Sequence, residues 1–220
     1  MKKSILILII FTIQAFSQSG RALYKIKFVE KIEVPKEYSE DVKQTFVQLY
    51  EDVNHMKFEL IFNKNISKFN FIDDLNSISS MSKAIVNTNT IFTESKTNYS
   101  LIGNNLLKTN PVYNWKIENT TKLIGNLNCT KATCEIIFFS RKRNKEVTKT
   151  VEAWFCPSLP YSFGPYGYYG LPGIIVELNE GNKIYILEKI DLKFNEKIPI
   201  PNKKHITENE FNTYVESLKN

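Results

Sequence analysis

Apolar and polar residues alternate along most of this chain, and that period predicts β-strands. Between residues 21 and 34, for example, lysines separate Tyr24, Ile26 and Phe28, as in a strand with one buried and one solvated face. Further strand patterns lie at 57–63, 69–72, 90–94, 99–102, 106–108, 112–118, 122–127, 130–139, 147–155, 174–178 and 183–194. The turn at residues 63–65 makes 57–72 a predicted hairpin.

The period changes to that of a helix at two places. Over 39–56 apolar residues recur every three or four positions and acids stand near the start, where the helix dipole favours them. Near the C-terminus, Thr207 and Glu210 have the spacing of a capping box and predict a short helix after it. The segment 76–89 is rich in Ser and Asn and predicts a long loop.

This order of elements predicts the α+β class. We expect a large curved antiparallel β-sheet, half-barrel-like, with an N-terminal amphipathic helix and a short C-terminal helix. A length of 220 residues fits one such domain, and 15 Phe and 11 Tyr favour strands.

The first residues predict a signal peptide at 1–17. Lys2 and Lys3 precede the apolar run 5–13, and the small residues Ala15 and Ser17 suit a cleavage site before Gln18. The run is too short to span a bilayer. We therefore expect a single exported domain at 18–220, periplasmic or extracellular, with no transmembrane segment in the mature chain. Cleavage lowers the net charge from +6 to +4, a mild excess that favours solubility over nucleic-acid binding.

A long loop rich in Pro and Gly lies between two strand patterns at 152–178. Pro172-Gly173 suits the centre of a type II turn. The strand after it, 174–178, is almost wholly apolar, which predicts burial on both faces.

This region carries a resemblance to a known family. The motif Gly170, Leu171, Pro172, Gly173, Ile174 and Ile175 resembles the one that names the GLPGLI family of exported proteins, common in Bacteroidetes, with Ile174 in place of Leu. Phe58–Asn63, Trp115–Ile117, Cys129–Thr133 and Ala153–Phe155 resemble other parts of that family in the same order. The family has no assigned activity, so the resemblance implies no catalytic residue.

Five aromatic residues crowd the loop before the motif: Tyr161, Phe163, Tyr166, Tyr168 and Tyr169. Aromatic rings on a rigid loop suit binding to protein or glycan. The alternative is that they cover the sheet as a second core. Both readings stay open at the level of sequence.

An exported protein permits disulfides, and the chain has three cysteines. If strands 130–139 and 147–155 pair across a tip at residues 142 and 143, Cys129 lies opposite Cys156. We therefore consider a cross-strand disulfide between them, with three reduced, buried thiols as the alternative. The basic run 141–145 at that tip either solvates the turn or contacts an anionic lipid or polysaccharide.

The sequence favours a non-enzymatic protein without a cofactor. His55 and His205 are its two histidines, and they form no metal-binding pattern; a Cys156–His205 pair lacks any local signature. The leading hypothesis is an exported binding or carrier protein of the cell envelope, holding an apolar small molecule or lipid against the sheet. The alternative is a secreted or surface module that uses the tyrosine-rich loop to bind an envelope protein or glycan.

Overall fold

A computed structural model of the protein describes residues 19–29, 34, 36–72, 78–86, 88–94, 98–102, 106–109, 112–140, 143–194, 196–199, 202 and 204–217. The leader at 1–17 lies outside these residues, so the signal peptide and export stay predictions. Within the described ranges, no helix has both the length and the apolar character that crossing a bilayer requires.

The described chain forms twelve strands and three helices. They are β1 (Gly20–Phe28), α1 (Glu40–His55), β2 (Lys57–Phe62), β3 (Ile66–Ile72), α2 (Ser80–Val86), β4 (Ile91–Glu94), β5 (Asn98–Ile102), β6 (Leu106–Thr109), β7 (Lys116–Ile124), β8 (Leu127–Ser140), β9 (Lys145–Cys156), β10 (Ile174–Glu180), β11 (Lys183–Asp191), β12 (Lys204–Ile206) and α3 (Glu208–Ser217). The predicted α+β class is confirmed, with helices near both ends of the chain.

All twelve strands join one sheet in the order β12-β6-β5-β4-β3-β2-β1-β11-β10-β9-β8-β7. Every pairing is antiparallel except that of β12 with β6, which is parallel. The sequence did not predict β12, because a strand of three residues has no readable period. The sheet is open, and β7 and β12 are its end strands in the part of the chain that the structure describes.

One face of the sheet, called the inner face here, carries the main core. The register places Ile26, Tyr185, Leu178 and Ala153 side by side on it, with Tyr24 beside Phe58, and all six are buried. A smaller core lies on the opposite, outer face beneath the segment before β12; its buried members are Ile61, Ile66, Phe92, Tyr99 and Ile198.

Helix α1 covers part of the inner face, and its prediction over 39–56 is confirmed to within a residue at each end. Its own residues Leu49 and Val53 are buried, and the ring of its Tyr50 lies 4.9 Å from that of Phe28 in β1. The helical period thus places its apolar stripe on the core, as amphipathic helices require.

The prediction of a long loop at 76–89 is wrong, because α2 forms within it. The carboxylate of Asp52 in α1 accepts hydrogen bonds from the Ser79 backbone N–H at 3.0 Å and the Ser82 hydroxyl at 2.7 Å. The Ser79 hydroxyl also accepts from the Ser82 N–H at 3.1 Å. These bonds satisfy donors at the start of α2, and in two of the three the acceptor is Asp52, a residue distant in the chain.

The prediction of two strands at 112–118 and 122–127 is also wrong, since one strand, β7, runs across both. A turn follows it at Gly125, whose φ is +58°. Residues 112–115 leave the sheet because the Trp115 indole N–H donates to the Tyr169 carbonyl at 2.8 Å. That bond ties the segment to the tyrosine-rich loop.

The capping box is confirmed in both directions. The Thr207 backbone N–H donates to the Glu210 carboxylate at 2.7 Å, and the Glu210 N–H donates to the Thr207 hydroxyl at 3.3 Å. Helix α3 begins there, as the motif predicts.

Candidate functional site

The tyrosine-rich loop between β9 and β10 lies against the inner face of the sheet. Tyr161, Phe163, Tyr168 and Tyr169 are buried, and Tyr166 is half-buried. The backbone holds the loop in place, since the N–H groups of Ile174 and Ile175 donate to the carbonyls of Leu159 and Phe163 at 2.9 and 3.0 Å, and that of Gly170 to Ser162 at 3.0 Å.

The rings of this loop pack on other rings of the core. Tyr161 lies 4.6 Å from Phe62, Tyr166 lies 5.9 Å from Tyr185 in a stacked arrangement, and Tyr168 lies 4.5 Å from Tyr113, also stacked. Burial raises the pKa of Tyr161, Tyr168 and Tyr169, so their hydroxyls stay protonated. The loop as placed is a second core layer, and its use in binding stays a prediction.

Sequence reasoning missed Tyr113 and Trp115 as part of this layer. Both are partly buried against the core, and their centroids are 6.1 Å apart. The Trp115 N–H is bound to the loop, as described above. Their alternation with polar residues signalled a strand, and the contact with Tyr168 and Tyr169, more than fifty positions away, leaves no trace in a local pattern.

The motif at 170–175 has an architectural role, and its two positions require glycine for different reasons. Gly170 has a φ of +95°, which an L-residue rarely adopts. Gly173 does not have a positive φ, so the predicted type II turn is wrong. A Cβ on Gly173 would instead lie 2.3 Å from the Cys156 carbonyl oxygen, so the residue is glycine for close approach of two backbones.

The strand after the motif is buried as predicted: Ile174, Ile175, Val176 and Leu178 are fully inaccessible. A bulge between Ile175 and Glu177 interrupts its pairing with β9. The Tyr24 hydroxyl donates to the Ile175 carbonyl at 2.7 Å, which satisfies an acceptor at this irregularity. Burial raises the pKa of Tyr24, so the donor proton is retained.

The inner face is therefore occupied by the protein's own side chains where the carrier hypothesis places an apolar ligand. The tyrosine-rich loop covers part of its centre, and α1 covers the part around β1. A cleft of about 410 Å³ lies elsewhere, between α1 and α2, and polar side chains such as Asp41, Gln44 and Gln48 line it. Leu49 and Met81 add apolar surface to the same lining.

The cysteines have the predicted register without the disulfide. Thr130 pairs with Phe155 and Ser140 with Lys145, which places Cys129 opposite Cys156 when the ladder is extended by one residue. Yet both thiols, and that of Cys134, are free and buried. Each sulfur has a partner near it in the chain: the Cys129 Sγ donates to the Leu127 carbonyl at 3.3 Å, and the Cys156 Sγ lies 3.0 Å from the Ser158 hydroxyl.

The histidines do not form a site with Cys156. Nδ1 of His55 lies 2.7 Å from the Glu51 carbonyl at the end of α1, and the ring of His205 packs edge-on against Tyr99 at 5.1 Å. Eight strands separate β12, which carries His205, from β9, which ends at Cys156. Among the described residues, no three His, Cys, Asp or Glu side chains come together in a metal-binding group.

Exposed apolar side chains gather at the β7–β8 end of the sheet. Ile117, Leu123, Ile137 and Phe138 expose 52%, 73%, 66% and 45% of their surface. By the register, Ile117, Leu123 and Phe138 lie on the inner face, and Ile137 lies on the outer face. We call these four residues the β7–β8 patch. The tyrosine-rich loop leaves them uncovered.

Comparison with known sequences gives one partial match. The sequence model of a family described as "Protein of unknown function (Porph_ging)" matches residues 138–177, from the end of β8 through the tyrosine-rich loop and Gly170–Ile175. No curated protein matches the chain. The resemblance to the GLPGLI family stays a prediction.

Two solved structures of PNGF-II have a similar fold. The one in space group P21 is 11% identical, with a TM-score of 0.52 over 89% of this chain and 32% of that chain. The one in space group C2 is 12% identical, with a TM-score of 0.53 over 90% of this chain and 32% of that chain. This chain thus spans about a third of the PNGF-II chain, and the likeness is one of fold.

Proposed function

We propose that this protein is an exported, non-enzymatic binding module of the cell envelope that contacts a partner through the β7–β8 patch. The carrying observation is the contrast between the centre of the inner face and its β7–β8 end. The centre is closed by buried rings, whereas the β7–β8 end exposes Ile117 by 52% and Leu123 by 73%. Large exposed apolar side chains that the rest of the described chain leaves uncovered are candidates for an interaction site.

The proposal keeps the binding half of the leading hypothesis and omits the carrier half, because side chains fill the inner face. Export rests on the leader sequence, with Lys2, Lys3 and the small residues before Gln18. The likeness to about a third of PNGF-II supports a fold that also occurs within a longer protein, which suits a module. The activity of that protein does not transfer at this identity.

Site-specific photo-crosslinking in the native host tests the proposal. A photoreactive amino acid replaces Leu123 or Ile137 in separate variants, and Val47, exposed by 55% on α1, is the matched control. We expect the same cross-linked partner from both patch positions and no adduct from Val47. Adducts of equal yield from all three positions, or from none, contradict the proposal. Mass spectrometry of the purified chain tests export, with Gln18 expected as its first residue.

A further inference from the structure

Part of β8 has an outer edge that no strand covers in the described chain. β7 pairs with β8 only as far as Lys116 opposite Thr133, while β8 continues to Ser140. Had residues 112–115 continued β7, they would have paired along the stretch after Thr133. The bond from Trp115 to Tyr169 takes them away. Residues 134–140 therefore pair with β9 on one side alone.

This edge is apolar on both faces of the sheet. Ile136 and Phe138 lie on the inner face, and Ile137 lies on the outer face. Glu135 is the single charged residue between 134 and 140. An uncovered edge with such side chains is a template for an added strand.

The other free edges are protected in the ways that natural sheets use. β7 carries two lysines, Lys116 and Lys122, and a bulge between Ile117 and Thr121. β12 is three residues long. The part of β9 that does not pair with β10, residues 145–151, carries three charged side chains, Lys145, Glu146 and Lys149. The absence of protection at 134–140 sets this edge apart from them.

The charged residues around the edge favour a partner strand of another protein over a second copy of this chain. At the tip end, Arg143 and Lys145 are exposed, and Lys145 pairs with Ser140. Antiparallel pairing of two copies through this edge would bring the cationic tip of each beside Lys116 of the other. Like charges at that distance are unfavourable. A foreign strand with carboxylates at the tip end meets opposite charge instead.

We propose that the edge at 134–140 binds an extended peptide segment of a partner protein by strand addition, and that this segment has an apolar centre and acidic residues at the end that meets Arg143 and Lys145. Backbone hydrogen bonds to β8 supply the strand pairing, and Ile136, Ile137 and Phe138 contact alternate side chains of the segment. The inference rests on the proposed function and names its partner class.

Three labelled peptides test it against the mature protein by fluorescence anisotropy. All three share a centre of alternating Val and Thr. The Asp peptide carries two Asp residues at one end, and the Lys peptide carries two Lys residues at that same end. The Pro peptide is the Asp peptide with a Pro at its centre. We expect saturable binding of the Asp peptide, at least tenfold weaker binding of the Lys peptide, and none of the Pro peptide, since Pro removes a donor from the ladder. Equal binding of all three peptides, or of none, overturns the proposal.

Two variants separate the edge from exposed apolar surface elsewhere on the protein. Ile137→Thr keeps strand propensity and removes the exposed apolar group, so we expect at least tenfold weaker binding of the Asp peptide. Val47→Thr, at an exposed position of α1 outside the patch, is the matched control and should bind as the unmodified protein does. Both variants must retain its melting temperature. Equal loss in the two variants overturns the assignment to the edge.

Two further outcomes keep this inference distinct from the proposed function. Sedimentation equilibrium tests whether a second copy of the chain occupies the edge. If the unmodified protein is a dimer and Ile137→Thr is a monomer, the proposal of an acidic peptide partner is overturned. If Leu123 cross-links to a partner in the host while the Asp peptide does not bind, the inference fails and the proposed function stands. If neither occurs, both fail.

Discussion

Gly173→Ala tests whether the motif is a point of close backbone approach. An added Cβ would lie 2.3 Å from the Cys156 carbonyl oxygen, 2.6 Å from the Cys156 carbonyl carbon and 3.0 Å from the Pro157 nitrogen. All three are backbone atoms, so no side-chain rotation relieves the overlap. The end of β9 and the start of β10 must move apart.

The magnitude follows from what that movement disturbs. Overpacking in a close-packed core costs about 1–3 kcal/mol, and weakening the bond from Ile174 N–H to the Leu159 carbonyl adds about 1 kcal/mol. Replacing Gly restricts the unfolded chain and returns about 0.4–1 kcal/mol. We expect a net loss of about 1–3.6 kcal/mol in the free energy of unfolding, by these three terms. For a chain of this size the melting temperature falls by about 2–14 °C.

The assay is urea unfolding followed by tryptophan fluorescence, with thermal melting as a second measurement. Gly125→Ala is the matched control, because Gly125 has a φ of +58° and no atom within 4 Å of the added Cβ. It should lose about 1 kcal/mol, from backbone strain less the unfolded-chain effect. If Gly173→Ala is as stable as the unmodified protein, or more stable than the Gly125 variant, the close-approach argument is refuted.

Three further predictions concern buried groups. Burial raises the pKa of Asp52, but hydrogen bonds from neighbouring serines and a glutamine outweigh it and bring the pKa to about 2, below its usual 3.8. The ionised carboxylate therefore contributes stability above about pH 4, and this contribution is lost as the pH falls through 2. Urea unfolding at pH 4.5 and 2.5 measures it: the stability difference between the two pH values should be about 1–2 kcal/mol smaller in Asp52→Asn. Burial raises the pKa of the Cys129 and Cys134 thiols to about 11, so Ellman's reagent should detect no thiol in the native protein at pH 8 and three after unfolding without reductant; two fewer would mean a disulfide. Tyr168→Ala should lower the free energy of unfolding by about 3–5 kcal/mol, and Tyr166→Ala, at a half-buried position, by less; equal melting temperatures for these variants and the unmodified protein would contradict the role of the loop as a core layer.

The sequence predicted those elements whose determinants lie close together in the chain. The tip at residues 142 and 143 gave the register of all eleven β8–β9 pairs, because a polar, basic turn between two alternating runs leaves one way to align them. The capping box of α3 is equally local. Helix α1 needed only its own period.

The failures share a different cause, which is contact between residues far apart in sequence. α2 forms in a segment of poor helical pattern because Asp52, about thirty positions earlier, binds its first turn. The type II turn was predicted from Pro172-Gly173 alone, whereas position 173 is glycine because the backbone of Cys156 leaves no room for a Cβ. The disulfide considered from register is a separate case: Cys129 and Cys156 have the expected register, and each sulfur contacts a group two residues away in the chain.

The proposed binding edge is itself the consequence of one such contact. The strand pattern over 112–118 is real, and a strand continued through 112–115 would have covered β8 beyond Thr133. The bond between Trp115 and Tyr169, 54 positions apart, draws that segment onto the tyrosine-rich loop instead. The same contact therefore completes the second core layer and leaves one edge of 134–140 uncovered in the described chain. Trp115→Phe removes the indole N–H and keeps an aromatic ring, so it should loosen residues 112–115 from the tyrosine-rich loop. We expect weaker binding of the Asp peptide, because the freed segment competes with the peptide for the edge at 134–140. Hydrogen exchange at 134–140 would report the competition as slower exchange in the variant; unchanged exchange there, with unchanged peptide binding, would separate the edge from the loop and leave its exposure without this cause.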